Sequence, residues 1–320
     1  MKRAFITGIN GQDGSYLTEF LLEKGYKVFG IVRRHSIAEQ QSGRLNHLMD
    51  HPNLNLMYGD MTDFGSLINA IKVAKPDEVY NLAAQSHVRV SFDQPQYTTL
   101  VDANGVLNLF EAVRFEAPYA KVYQACSSEM YGNECDDDGF RRETTLMKPV
   151  SPYACAKLYG YNLARTYRSS YGMFIANGIL FNHESPRRGS NFVTNKVVQG
   201  AIKIRNGEQN TLALGNLEAT RDWGHAKDYV RAMWLMLQQP TPGDYVCAMG
   251  ESRSVRDLCD YVFSYLGLNY REHVVTDPKY YRPTELRDLK GDSSKLRQEL
   301  GWKPTYTFES MLQEMIEDKV

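Results

Sequence analysis

Between the apolar run Ala4-Phe-Ile-Thr7 and the amphipathic stretch from Ser15 to Lys24 lies Gly8-Ile-Asn-Gly11-Gln-Asp-Gly14, and this order of strand, glycine turn and helix admits few folds. Glycines at such a turn let the backbone approach a pyrophosphate, whose charge is stabilised by N–H groups at the start of the helix. The spacing is Gly-x-x-Gly-x-x-Gly, not the Gly-x-Gly-x-x-Gly of many dehydrogenases.

Strands and helices go on alternating beyond this unit. Lys27 to Val32 reads as a second strand, and at its end, roughly 20 residues beyond the glycines, NAD-binding folds carry an acidic residue for the ribose diol. This chain has Arg33-Arg34-His35 there. Arginine attracts a 2′-phosphate that a carboxylate would repel, so the expected cofactor is NADP. A third strand, Leu54 to Tyr58, ends at Gly59-Asp60-Met61, with Asp60 placed to meet the adenine amino group. The fourth, Glu78 to Leu82, ends in Ala83-Ala84-Gln85-Ser86-His87, small enough to pack closely on a cofactor. A helix over Tyr97 to Arg114 leads to a fifth strand from Lys121. The expected fold class is α/β, a Rossmann-type doubly wound parallel sheet over residues 1–182, with a smaller mixed α/β substrate-binding lobe over 183–320. Residues near 215–240 should pack back on the first part, so the two interleave.

The chemistry concentrates in Gln124-Ala-Cys-Ser-Ser-Glu-Met-Tyr-Gly132 and Ser151-Pro-Tyr-Ala-Cys-Ala-Lys157. Ser127 and Glu129 fall at the carboxyl end of the fifth strand, where open α/β sheets bind ligands. Ser151 reads as an N-cap with proline at the first helical position, which places Tyr153 and Lys157 four apart on one helix face. A phenol titrates near ~10 and is a poor base at neutral pH unless a cation stabilises the phenolate. Lys157 supplies that cation. Of the 21 tyrosines only Tyr153 has a lysine four positions on. The candidate catalytic residues are therefore Ser127, Glu129, Tyr153 and Lys157.

A sixth strand, Met173 to Leu180, should deliver Asn182, His183, Glu184 and Arg188 to the same cleft. The helix expected over Asn191 to Ile204 carries Val193 and Lys196 one turn apart, suited to a base edge and a phosphate. Arg221 and Arg282 add cations for a diphosphate, and Glu285 is an acceptor for a ribose or a guanine. Helices are expected over Asp228 to Leu237, Ser254 to Leu266 and Phe308 to Ile316.

The combination Thr7-Gly-x-x-Gly-x-x-Gly14, Asn81-Leu-Ala-Ala84, Ser127-x-Glu129 and Tyr153-x-x-x-Lys157 resembles the extended short-chain dehydrogenase/reductase superfamily that modifies nucleotide sugars. Gly11-Gln-Asp-Gly-Ser-Tyr-Leu17, Phe181-Asn-His-Glu-Ser-Pro-Arg-Arg-Gly189, Arg221-Asp-Trp-Gly-His225 and Tyr281-Arg-Pro-Thr-Glu285 narrow the resemblance to the GDP-mannose 4,6-dehydratase family, over nearly the whole chain. Ser127 stands where many relatives have threonine, Cys126 replaces a common serine, and the stretch after Arg271 is short. The resemblance implies GDP-mannose as substrate and a cofactor contacted by Gly8, Asn10, Gly11, Gln12, Asp13, Gly14, Arg33, Arg34, Asp60, Met61, Leu82, Ala83, Ala84, Gln85, Ser86, Tyr97, Tyr153, Lys157, His183 and Arg188. Substrate contacts are implied for Ser86, Ser127, Glu129, Asn182, Val193, Lys196, Arg221, Arg282 and Glu285. It also implies oxidation at C4, elimination across C5 and C6 with Glu129 as base and acid, and reduction at C6. Alternatives are dehydration of a related GDP-sugar such as a manno-heptose, reduction of a GDP-4-keto-6-deoxy sugar, and a silent NADPH-binding regulator.

With a formal net charge of -1, the chain offers no bulk attraction to nucleic acid or an anionic membrane. Its five cysteines are odd in number and form no Cys-x-x-Cys pair, and the amino terminus runs directly into a strand, so reduced thiols and a cytoplasmic location are expected. Asp136-Asp-Asp138 reads as a solvated run, and no metal site is expected. The polar Arg34 to Arg44 segment is long for its position and is expected at the interface of a homo-oligomer, a dimer or tetramer by analogy with the family.

Overall fold

The computed structural model describes residues 1–34, 43–281, 284, 286 and 288–320. Six strands alternate with helices as expected: β1 (Arg3–Thr7), β2 (Lys27–Val32), β3 (Leu54–Tyr58), β4 (Glu78–Asn81), β5 (Lys121–Ser127) and β6 (Ile175–Leu180). A seventh, β7 (Asp244–Cys247), was not anticipated; four residues after a Thr-Pro-Gly turn give little periodicity to read. The sheet order is β7-β6-β5-β4-β1-β2-β3, with every neighbouring pair parallel. The order in which strands are added reverses between β1 and β4, and the crevice outside their carboxyl ends is the place where such sheets bind ligands.

Both faces are covered, so the strands are apolar almost throughout. Helix α1 (Gln12–Glu23) packs with Ala226–Leu237 on one face, burying Leu17, Leu21, Tyr229 and Met233 against Ile6 and Val28. On the other, Phe64–Ala74, Gly105–Glu116 and Pro152–Tyr171 bury Leu67, Phe110 and Ala164 against Phe5 and Val79. The helix expected from Tyr97 starts at Pro95 and is interrupted: Pro95–Thr99 runs into a π-helical turn at Leu100–Asn104 before Gly105. A third core, around Val197, Leu258, Phe263 and Leu312, is built from residues between 193 and 316. Asp136 and Asp138 are not a merely hydrated run. They hold Arg142 at 2.8 and 2.6 Å, and Arg142 also reaches Asp292 at 2.8 Å, fastening the loop after β5.

Candidate active site

The glycine turn is shaped by close backbone approach. Gly8 has φ +67°, and a side chain there would meet the Ala83 backbone nitrogen at 2.8 Å. At Gly14 a Cβ would lie 2.3 Å from the Gly8 carbonyl oxygen and 2.7 Å from Ile9 Cα, so the first turn of α1 can rest on the turn after β1 only without one. The N-cap of α1 is Gly11, which has no side chain to cap the first N–H groups. Together with Arg44, whose Nη1 donates to the Asn10 carbonyl at 3.3 Å, this builds a positive, uncapped helix start suited to a pyrophosphate. A dinucleotide fits the residues present.

Asp13 is less open than expected. Its carboxylate is held by His183 Nε2 at 2.7 Å and Gln12 Nε2 at 3.0 Å, while Gln12 Oε1 accepts from Ser185 Oγ. Both residues thus bind α1 to the strand Asn182–Glu184. Arg188 is ion-paired with Glu184 at 3.0 Å and lies over the Phe192 ring.

At the far end of the crevice, Arg33, Arg34, Tyr58, Gly59, Asp60, Asp63 and Ser66 line a cavity of about 570 Å³. Arg33 donates to the Tyr97 hydroxyl. Asp60 Oδ1 accepts from both the amide and the hydroxyl of Thr62 at 2.8 Å. Met61 is buried, and its carbonyl receives Asn108.

Nearer the middle of the sheet a buried polar chain runs across three strands. Thr7 donates to Asn81 at 2.7 Å, Asn81 to Gln124 at 2.8 Å, and Gln124 to the Ala125 carbonyl at 3.2 Å. Thr7 Oγ1 also receives the amides of Leu82 and Ala83, fixing the start of the segment that continues through Ala84, Gln85 and Ser86. Lys157 Nζ donates to the same Ala125 carbonyl at 3.1 Å. Sequence reading missed Thr7 and Gln124. The signal available was polar side chains on strands otherwise filled with apolar ones.

The four central residues converge. Ser151 caps its helix through the Ala154 amide, and both Tyr153 and Lys157 are buried, with Lys157 Nζ 5.8 Å from the centre of the Tyr153 ring. Ser127 ends β5, and its hydroxyl accepts from the Glu129 amide at 3.3 Å as the chain enters a buried 3-10 turn, Ser128–Tyr131. Burial raises the Tyr153 phenol, and the Lys157 charge with a hydrogen bond to Ser127 offsets this only in part, while Asp102 and Glu129 add to it. The expected depression by Lys157 is present but outweighed, because desolvation of a phenolate is the larger effect. Although burial works against the Lys157 ammonium, Tyr153 and Asp102 hold it above its usual range.

On the helix Val193–Arg205, Lys196 donates to the Ala213 carbonyl at 2.7 Å and lies over the Tyr280 ring, one turn from the half-buried Val193. Arg221 is buried, with Nη1 on the carbonyls of Thr220 and Leu286. Asn182 lies opposite Trp223 in a short parallel pair. Arg282, Glu285 and residues 35–42 of the expected interface segment lie outside the described residues.

The family model described as GDP-mannose 4,6 dehydratase matches residues 5–315. The chain belongs to the GDP-mannose 4,6-dehydratase family. It is similar to GDP-mannose 4,6 dehydratase 1 of Arabidopsis thaliana, 52% identical over 99% of this chain and 89% of that protein. Similarity to the human GDP-mannose 4,6 dehydratase is 48% over 98% of this chain and 90% of that one. Among solved structures, a dTDP-glucose 4,6-dehydratase from Bacillus anthracis in complex with NAD superposes with a TM-score of 0.84 at 24% identity, covering 99% of this chain and 96% of that one, which bears on the fold alone. In this family member Ser127, Glu129, Tyr153 and Lys157 sit at the carboxyl end and flank of β5, the strand next to β4.

Proposed function

We propose that the protein is an NADP-dependent lyase that converts GDP-mannose to GDP-4-keto-6-deoxymannose and water. The observation that carries the reading is Glu129, a buried carboxylate two residues beyond Ser127 and near enough to Tyr153 for its charge to act on the phenol. Ketone reduction or epimerisation needs the tyrosine and lysine but has no task for that acid.

Tyr153, ionised beside Lys157, takes the proton of the sugar 4-hydroxyl, and Ser127 donates a hydrogen bond to the oxygen that becomes the C4 carbonyl. The new carbonyl acidifies C5–H. Glu129 removes that proton and returns it to the departing 6-hydroxyl, so that C5–H and C6–O bonds break, a C5–C6 double bond forms and water leaves. When bound, the dinucleotide would supply, oxidised, the hydride acceptor for C4 and a further positive charge, and, once reduced, the hydride donor for C6. A proton delivered to C5 completes the 4-keto-6-deoxy sugar.

The glycine turn and the start of α1 would hold the pyrophosphate, Arg33 and Arg34 the 2′-phosphate, and Asp60, Met61, Leu82 to Ser86, Tyr97, His183 and Arg188 the rest of the dinucleotide. Asn182, Val193, Lys196 and Arg221 would receive the GDP moiety together with Arg282 and Glu285. The two arginines beside the 570 Å³ cavity favour NADP over NAD. This reading also places the protein in the cytoplasm as a homo-oligomer, with residues 1–182 binding cofactor and the later residues mainly substrate.

Incubation of purified protein with GDP-mannose, followed by the strong alkaline absorbance of a 4-keto product, is the test. Product formation is expected, and its absence at every pH from roughly 6 to 9 rejects the assignment.

A further inference from the structure

Asp102 lies on the π-helical turn between Pro95–Thr99 and Gly105–Glu116, 1% exposed. One carboxylate oxygen, Oδ1, accepts the Gln85 amide at 2.7 Å; the other, Oδ2, is buried and has no hydrogen-bond partner among the described residues. A half-paired buried carboxylate is costly, and folds rarely keep one without a use. π turns, which fit an extra residue into a helix, are frequent at functional sites. This turn packs directly on the helix that carries Tyr153 and Lys157.

We propose that Asp102 is a positioning residue: its carboxylate is the standing counter-charge of Lys157, keeping that ammonium protonated and in place whether Tyr153 is a phenolate or a phenol. The proposal rests on the Tyr153 and Lys157 chemistry given above. Proton abstraction converts Tyr153 from anion to neutral phenol, and at that moment Lys157, buried and bonded among the described residues to one carbonyl, would lose its partner. Four groups act on Lys157 from the elements around it: Tyr153 on its own helix, Asp102 on the π turn, Cys126 on β5 and Asp13 on α1. Burial pushes the Cys126 thiol far up, so it carries no charge. Asp13 is already paired with His183. Asp102 is the one left. Burial raises its carboxyl to about 6 and Lys157 opposes that, so at neutral pH it is mostly ionised. Facing Tyr153, besides Lys157 and Asp102, are Ser127 and Glu129.

The test reads Lys157 itself, by NMR of full-length protein carrying 13C at lysine Cε, with the resonance assigned by its loss in Lys157→Met. In Tyr153→Phe, where no phenolate can form, Lys157 is expected to remain an ammonium beyond neutral pH. Adding Asp102→Asn should lower its titration by about one to two pH units. Identical titration in the two variants overturns the proposal. Should the double variant not fold, Asp102→Asn alone decides: its kcat is expected to fall roughly 10- to 100-fold with KM little changed, and the alkaline limb of its pH profile to move to lower pH. A uniformly lowered profile with unmoved limbs is a purely structural effect and overturns the proposal as well. A wrong substrate assignment would instead show as no turnover in the unaltered protein, with the NMR readout untouched.

Discussion

Asp13 Oδ2 lies 2.7 Å from His183 Nε2, while His183 Nδ1 lies 2.8 Å from the Phe181 carbonyl oxygen, so both ring nitrogens face acceptors and the ring is held as an imidazolium. Despite burial, which alone would raise it, His183 draws the Asp13 carboxyl below its usual value; despite burial, which alone would lower it, Asp13 raises His183. The Asp13 contribution to stability is present above the ordinary carboxyl value of 3.8 and lost as pH falls through its depressed one. That of His183 is complete below 6.5 and lost as pH rises through its elevated value. Asp13→Asn should therefore cost about 1.5–3 kcal/mol near pH 5 to 6 and less at pH 9. Thermal melts of both proteins across that range check it, and a deficit independent of pH would contradict the pairing.

Removing the phenol separates chemistry from binding. Tyr153→Phe is expected to lower kcat by roughly three orders of magnitude or more while nucleotide-sugar affinity stays within a few-fold, because only the proton acceptor is lost. Steady-state kinetics with calorimetric binding measure both.

Glu129→Gln should stop a later event. Exchange of the C5 hydrogen with deuterated solvent and release of water are both expected to fall by roughly 100-fold or more, since an amide neither takes nor returns the proton. Mass spectrometry of the sugar after incubation in heavy water reads this, and exchange at an unaltered rate would remove Glu129 from the role of base.

Cofactor choice is tested at the second strand. Arg33→Ala combined with Arg34→Ala should weaken NADP binding roughly 10- to 100-fold, the worth of one or two charge-assisted hydrogen bonds, and leave NAD binding nearly unchanged. Equal losses for the two dinucleotides would mean that these arginines do not read the 2′-phosphate.

Gly14→Ala places a methyl within 2.3 Å of one backbone oxygen and 2.7 Å of another, neither free to swing away. The variant is expected to lose dinucleotide binding, and to melt several degrees lower as the first turn of α1 is levered off the glycine turn. Calorimetric titration and a thermal melt distinguish it from a neutral change.

The residues that converge at the candidate site were readable when they were close in sequence. Ser127 with Glu129, and Tyr153 with Lys157, each share one local element, so a strand end and a helical spacing place them. Asp102 and the chain from Thr7 through Asn81 to Gln124 were not readable, because strand pairing and helix packing join residues far apart in sequence. The π turn is similarly silent: Leu100 to Asn104 has nothing in its composition that departs from an ordinary helix. Asp136 and Asp138 looked like a surface run because Arg142, which both of them bind, is anchored in turn by Asp292, far along the chain.

The late arrival of Asp244–Cys247 beside β6 has its own effect on how the polypeptide can be made and cut. A fragment ending before that strand would leave Ile175–Leu180, buried at every position in the intact protein, as a bare rim, with its amides and carbonyls open to any extended chain nearby. Such a fragment should clump rather than fold, and a ribosome must release well over two thirds of the protein before the parallel sheet has its full complement of neighbours.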